Sequence, residues 1–147
     1  MKQTFFTLFL AFIAVAGSKA LAQPEVQNGA KIEFNKEVHD YGTIPSGSDG
    51  LCTFEFTNTG NQPLILSNVK GSCQCTVPEW PKEPLAPGAT ATITVRYNTK
   101  NAGPINKTVT VTSNAVNEQT VVLRIKGNVT APAEGTPQNN SGAPAVN

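Results

Sequence analysis

Cys73 and Cys75, in the run Ser72-Cys73-Gln74-Cys75-Thr76, are the residues with the most chemistry within reach. In an extended segment both project to one face, with Cα atoms about 6.5–7 Å apart at strand rise. That is the upper edge for a disulfide, and parallel Cβ vectors stay too far apart unless the backbone bends. A Cys73–Cys75 bridge therefore requires a turn. Two free thiolates on one face instead suit Cu(I), which accepts soft ligands at low coordination number. A redox dithiol is a third outcome, although no helix N-terminus or cationic cluster is evident in the sequence to depress a thiol pKa. Zinc wants four ligands, so Cys52 and His39 would have to complete the set, with spacing unlike any standard zinc site. The third cysteine, Cys52, reads as a small buried hydrophobe beside Phe54 and Phe56, or as the bridging partner of either member of the pair.

Other candidates are fewer. His39 is the lone histidine and reads as a strand-edge packing or hydrogen-bonding residue. Trp80 is the lone tryptophan. It reads as a lid on one end of the fold, or as an aromatic contact for a partner. No Ser-His-Asp arrangement, phosphate loop or Gly-rich nucleotide motif is present. Asp40, Asp49, Glu79 and Glu83 are scattered and show no paired-carboxylate logic. The expectation is a non-catalytic chain that needs no cofactor.

The elements that position these residues follow from hydrophobic period. In Leu51–Asn58, Cys52, Phe54 and Phe56 share one face and Thr53, Glu55 and Thr57 the other, the mark of a half-buried antiparallel strand. Residues 89–97 place Ala91, Ile93, Val95 and Tyr97 inward against outward threonines. Residues 105–113 repeat this with Val109 and Val111, and residues 120–129 with Val121, Leu123, Ile125 and Val129. Residues 31–34, 39–44 and 64–69 are further strand candidates, the last without clean alternation. Prolines at Pro78, Pro81, Pro84 and Pro87 recur every third residue, the period of a polyproline II rod, so residues 71–88 read as a stiff strap. About seven strands with turns every 8–12 residues predict an all-β, immunoglobulin-like antiparallel sandwich. A closed barrel is the structural alternative.

The chain has 147 residues, enough for one domain. Residues 1–22 read as a signal peptide. Lys2 precedes an apolar run from Phe5 to Ala16, and Ala20-Leu21-Ala22 offers small residues at −3 and −1, so cleavage between Ala22 and Gln23 is expected. The run is too short to span a bilayer comfortably, and no span is expected after cleavage. Gln23, not cysteine, follows the junction, which predicts a soluble exported protein, periplasmic or extracellular. Lys2 and Lys19 account for 2 of the 11 basic residues, leaving 9 against 10 acids beyond residue 22. Such a balance builds no basic stripe for nucleic acid. Residues 23–30 read as a flexible lead-in, 31–130 as the sandwich and 131–147 as a disordered Pro/Asn/Gly tail.

Several runs together resemble one family. They are His39-Asp40-Tyr41-Gly42-Thr43-Ile44, Phe54-Glu55-Phe56-Thr57-Asn58-Thr59-Gly60, Pro63-Leu64-Ile65, residues 72–81, Leu85-Ala86-Pro87-Gly88 and Ser113-Asn114-Ala115. The chain resembles the exported proteins of Bacteroidetes-type bacteria in the domain-of-unknown-function 1573 family, itself similar to Hydin-like (ASH) and PapD-like immunoglobulin domains. The resemblance covers roughly residues 32–129. It implies the fold and an exported location, and carries over no catalytic residue. Gln74 stands where the family commonly has glycine, which makes a φ > 0 turn between the cysteines less favourable. Cys52 is an addition to the pattern. The function expected is a binding or structural module of the cell envelope, with an unidentified protein or envelope component as partner. A thiol protein using Cys73 and Cys75 is the alternative.

Overall fold

The computed structural model describes residues 27–132. The signal segment, its Ala22–Gln23 junction, the start of the lead-in and the tail from residue 133 lie outside the described residues.

Eight strands form: β1 (Ile32–Phe34), β2 (Val38–Pro45), β3 (Leu51–Asn58), β4 (Leu66–Gly71), β5 (Thr76–Glu79), β6 (Thr90–Tyr97), β7 (Gly103–Ser113) and β8 (Thr120–Thr130). They make two four-stranded sheets, ordered β1-β3-β6-β5 and β2-β8-β7-β4. The architecture is an all-β immunoglobulin-type sandwich. Among the described residues no helix is long and apolar enough to cross a membrane.

Alternation along the strands makes the core. Phe54, Ile93, Val95, Val109, Leu123 and Ile125 are each 0% exposed, where the two inner faces meet. Burying each such side chain contributes about 1.5–3 kcal/mol. The register joins them in rows: Phe54 pairs with Ile93 on the adjacent strand, and Val109 with Leu123.

Two features depart from the sequence reading. Every pair is antiparallel except β2–β8, which runs parallel, because the chain leaves the first sheet after β1 and joins the second. The proline strap is not one rod. Its first proline, Pro78, lies inside the additional strand β5. Its last, Pro87, precedes Gly88 at φ 78° in a turn closed by the Ala89 amide donating to the Ala86 carbonyl at 3.0 Å. That is a type II turn, whose third position favours glycine and whose second favours proline. Backbone pairing with β6 outweighs the intrinsic polyproline preference of the first turn of the strap.

The strap is held firmly. Leu64 and Leu85 exchange two backbone hydrogen bonds, at 2.9 and 2.8 Å. Asn58, at the end of β3 and 0% exposed, completes the attachment. Its amide nitrogen donates to the carbonyls of Gln62 at 2.7 Å and Leu85 at 3.0 Å. Its oxygen accepts from the amides of Gly60 at 3.0 Å and Lys31 at 3.3 Å. Gly60 follows because a Cβ there would collide with the Gly29 carbonyl.

Candidate functional site

β4 and β5 are edge strands of opposite sheets, and the segment joining them is the Cys-x-Cys run. Cys73 and Cys75 are bonded to each other, with Cα atoms 5.2 Å apart. The bend that brings them together is a β-turn closed by the Thr76 amide donating to the Cys73 carbonyl at 3.2 Å. Among the described residues only glycines have positive φ, so Gln74 makes this turn without entering the left-handed region, as a type I turn allows. A bridge from Cys52 to the pair is excluded in this state. Cys52 is a free thiol, 4% exposed, facing the core from β3. Burial pushes its thiol above the ordinary range.

Both bridging cysteines are half-buried, and Gln74 between them is exposed. The turn is a ridge between two grooves. One, of about 480 Å³, is lined by Asp49, Cys75, Val77, Arg96 and Lys100 among others. The second, of about 380 Å³, follows the seam of β4 and β5 and is lined by Val69, Lys70, Cys73, Thr76 and Pro78 among others. Thr76 lies beneath the ridge, 2% exposed. Its hydroxyl is 3.4 Å from the Cys73 sulfur and 3.8 Å from the Cys75 sulfur. The hydroxyl donates, because a disulfide sulfur carries no hydrogen. Sequence reasoning missed Thr76, whose inward orientation depends on the phase of β5. It also missed Lys70, Arg96 and Lys100, which come to the grooves from three separate segments.

In the disulfide form the pair offers no thiolate to Cu(I). His39 is not near it: β2, which carries His39, and β4, which leads to Cys73, are opposite edges of one sheet. Among the described residues no group of three or more His, Cys, Asp and Glu side chains converges. His39 packs edge-on against Tyr41, ring centroids 4.6 Å apart. Partial burial first, and then the Lys36 charge, lower its pKa against the opposing pull of Asp40. Trp80 is half-buried against the core. The Lys82 ammonium sits 2.8 Å from its ring centroid, and its Nε1 is buried with no hydrogen-bond partner among the described residues. The ring thus packs against the core and carries the Lys82 ammonium over it.

The four sheet edges differ. Along β1, Asn117 covers the outer flank: its oxygen accepts from the Ile32 amide at 3.0 Å and its nitrogen donates to the Ile32 carbonyl at 2.8 Å. β2 carries a register shift between Asp40 and Thr43, with Gly42 at φ 63°, and ends on Pro45. On β5, the Asn98 amide donates to the Cys75 carbonyl at 2.9 Å. Alternation then turns the backbone groups of Thr76 and Pro78 outward. Thr76 meets Gly71 of β4, and Pro78 has no N–H to offer. On β4, Leu85 closes the approach at Leu64 and the register shifts between Leu66 and Asn68, but among the described residues no other element hydrogen-bonds along the outer flank of residues 68–70.

The model of a family of proteins of unknown function, DUF1573, matches residues 32–129. No curated protein matches the sequence. Among solved structures, a protein of unknown function from Porphyromonas gingivalis W83 is similar at 16% identity and a TM-score of 0.61, over 75% of this chain and 51% of that one. The ASH/PapD-like domain 7 of human CEP192 is similar at 14% identity and a TM-score of 0.56, over 83% of this chain and 99% of that one. The secreted serine protease VesC from Vibrio cholerae is similar at 18% identity and a TM-score of 0.54, over 71% of this chain and 24% of that one. At these identities the likeness is one of fold. The chain thus spans about half of the Porphyromonas protein and about a quarter of the protease.

Proposed function

The chain belongs to the DUF1573 family of proteins of unknown function, and on that premise we propose that it is a non-catalytic exported module of the cell envelope that binds a protein partner along β4. The observation that carries this reading is the contrast among sheet edges. β1 is covered by Asn117, β2 is bulged, and β5 ends its pairing potential at Pro78. Proteins blunt edges in these ways to prevent unwanted strand pairing. β4 also shifts register between Leu66 and Asn68, but from Asn68 to Gly71 it pairs regularly with β7, and its outer flank there lies beside a groove of about 380 Å³. An extended peptide segment can add there as a further strand, with main-chain hydrogen bonds for affinity and the groove for side-chain selectivity. Export rests on the sequence: Lys2, the apolar run and the small residues up to Ala22.

The test is a photo-crosslinking residue placed at Lys70, and a control at Thr53 on the outer face of the other sheet, in cells that export the protein. A discrete adduct from position 70 and none from position 53 is the expected result. Equal adducts, or none, would remove β4 as the binding edge. The intact mass of the protein recovered from the envelope fraction should correspond to a chain that begins at Gln23.

A further inference from the structure

We propose that the Cys73–Cys75 disulfide is a thiol–disulfide exchange site that takes two electrons from a reduced cysteine pair on a partner protein. This goes beyond the binding role and does not depend on it.

As a brace the bond has little to hold. It joins residues two apart within a turn that the Thr76–Cys73 hydrogen bond already closes. A loop this short removes little entropy from the unfolded chain. The segments on either side are anchored independently: the Ser72 amide donates to the Thr108 carbonyl at 2.8 Å and the Asn98 amide to the Cys75 carbonyl at 2.9 Å. The bond also sits on a ridge between two grooves rather than inside the core, where the free thiol of Cys52 is enclosed.

The surroundings distinguish the two sulfurs. Exchange needs an incoming thiolate in line with the S–S axis, and it goes faster when the departing sulfur is better stabilised as an anion. The Thr76 hydroxyl is nearer to Cys73, at 3.4 Å, than to Cys75, at 3.8 Å. Hydrogen-bond donation favours the charged form, so Cys73 is the better leaving group. Cys75 borders the larger groove, where Arg96 and Lys100 outnumber Asp49 and favour an approaching anion.

The step balances as follows. A partner thiolate attacks the Cys75 sulfur. A new bond forms between the two, the Cys73–Cys75 bond breaks, and its electron pair leaves on Cys73, which takes a proton from water. The partner's second thiolate then attacks the partner sulfur of this mixed disulfide, and Cys75 departs and is protonated. The partner loses two electrons and two protons and becomes a disulfide. Cys73 and Cys75 become thiols.

The purified protein, equilibrated in glutathione buffers of graded composition and labelled natively with a maleimide, gives the first readout by mass. Cys73 and Cys75 should be reduced and reoxidised together, with Cys52 unlabelled and the far-ultraviolet dichroism unchanged. Thr76→Val should slow reduction by glutathione about tenfold, the worth of one hydrogen bond to an anionic group, while Thr76→Ser keeps the native rate. With oxidised glutathione, Cys73→Ser should accumulate a mixed disulfide on Cys75, and a reduced dithiol peptide should discharge it. A pair that stays oxidised until the domain unfolds, or a Thr76→Val rate equal to native, would overturn the proposal.

Discussion

Asn58 and the Cys73–Cys75 bridge both tie chain segments together, at different corners of the sandwich, and they differ in reach. Asn58 has no covalent hold, yet its four hydrogen bonds collect Lys31, Gly60, Gln62 and Leu85, which span more than fifty residues of chain. The bridge is covalent and joins neighbours two apart in one turn. Stabilisation depends on what would otherwise separate, not on bond strength. A buried amide whose removal leaves the Lys31 and Gly60 amides and the Gln62 carbonyl without that partner costs more than a covalent link whose loss frees only a short loop. The corner with the strong bond is then the one that can open without unfolding the domain.

Substitutions can break or sharpen this contrast. Asn58→Ala should be the most damaging, by about 3–4 kcal/mol in urea unfolding, because it orphans the Lys31 and Gly60 amides and the Gln62 carbonyl and removes one of the two hydrogen bonds to the Leu85 carbonyl of the strap. The double change Cys73→Ala with Cys75→Ala should cost about 1.5 kcal/mol or less, following the loop-entropy relation for so short a ring. Were the double variant to lose more than Asn58→Ala, the bridge would be a brace after all. Cys52→Ala should fall near 1 kcal/mol, the transfer and cavity cost of a small buried group, with no change in how the other two cysteines titrate. The smallest effect should come from pH. The pKa of His39 lies below its ordinary 6.5 in the fold, so the unfolded chain binds the proton more readily. Stability is therefore full above about 6.5 and should drift down as pH falls towards the folded value, in thermal melts from pH 7.5 to 5. His39→Gln should flatten that drift.

The motif Phe54-x-Phe56-x-Asn58-x-Gly60 shows what sequence made legible. Alternation placed both phenylalanines inside, and the strand Leu51–Asn58 begins and ends where its period does. Nothing local in the same run says that the Asn58 amide reaches Leu85, twenty-seven positions on. The prolines misled for a related reason. Their period describes an isolated chain, and β5 forms only because β6 is there to pair with it. At the cysteines, strand geometry correctly required a bend for the bridge, but could not say whether the bend forms.

Side-chain period and turn chemistry act over a few residues, so the sequence by itself determined the all-β class, the inner face of each regular strand and the burial of Cys52. Which strands lie at edges, which edges are covered, that Thr76 lies beneath the two sulfurs and that Arg96 and Lys100 flank them were decided only by the tertiary structure. Those are relations between segments distant in the chain, and packing of the two sheets, not any local preference, selects among the ways of bringing them together.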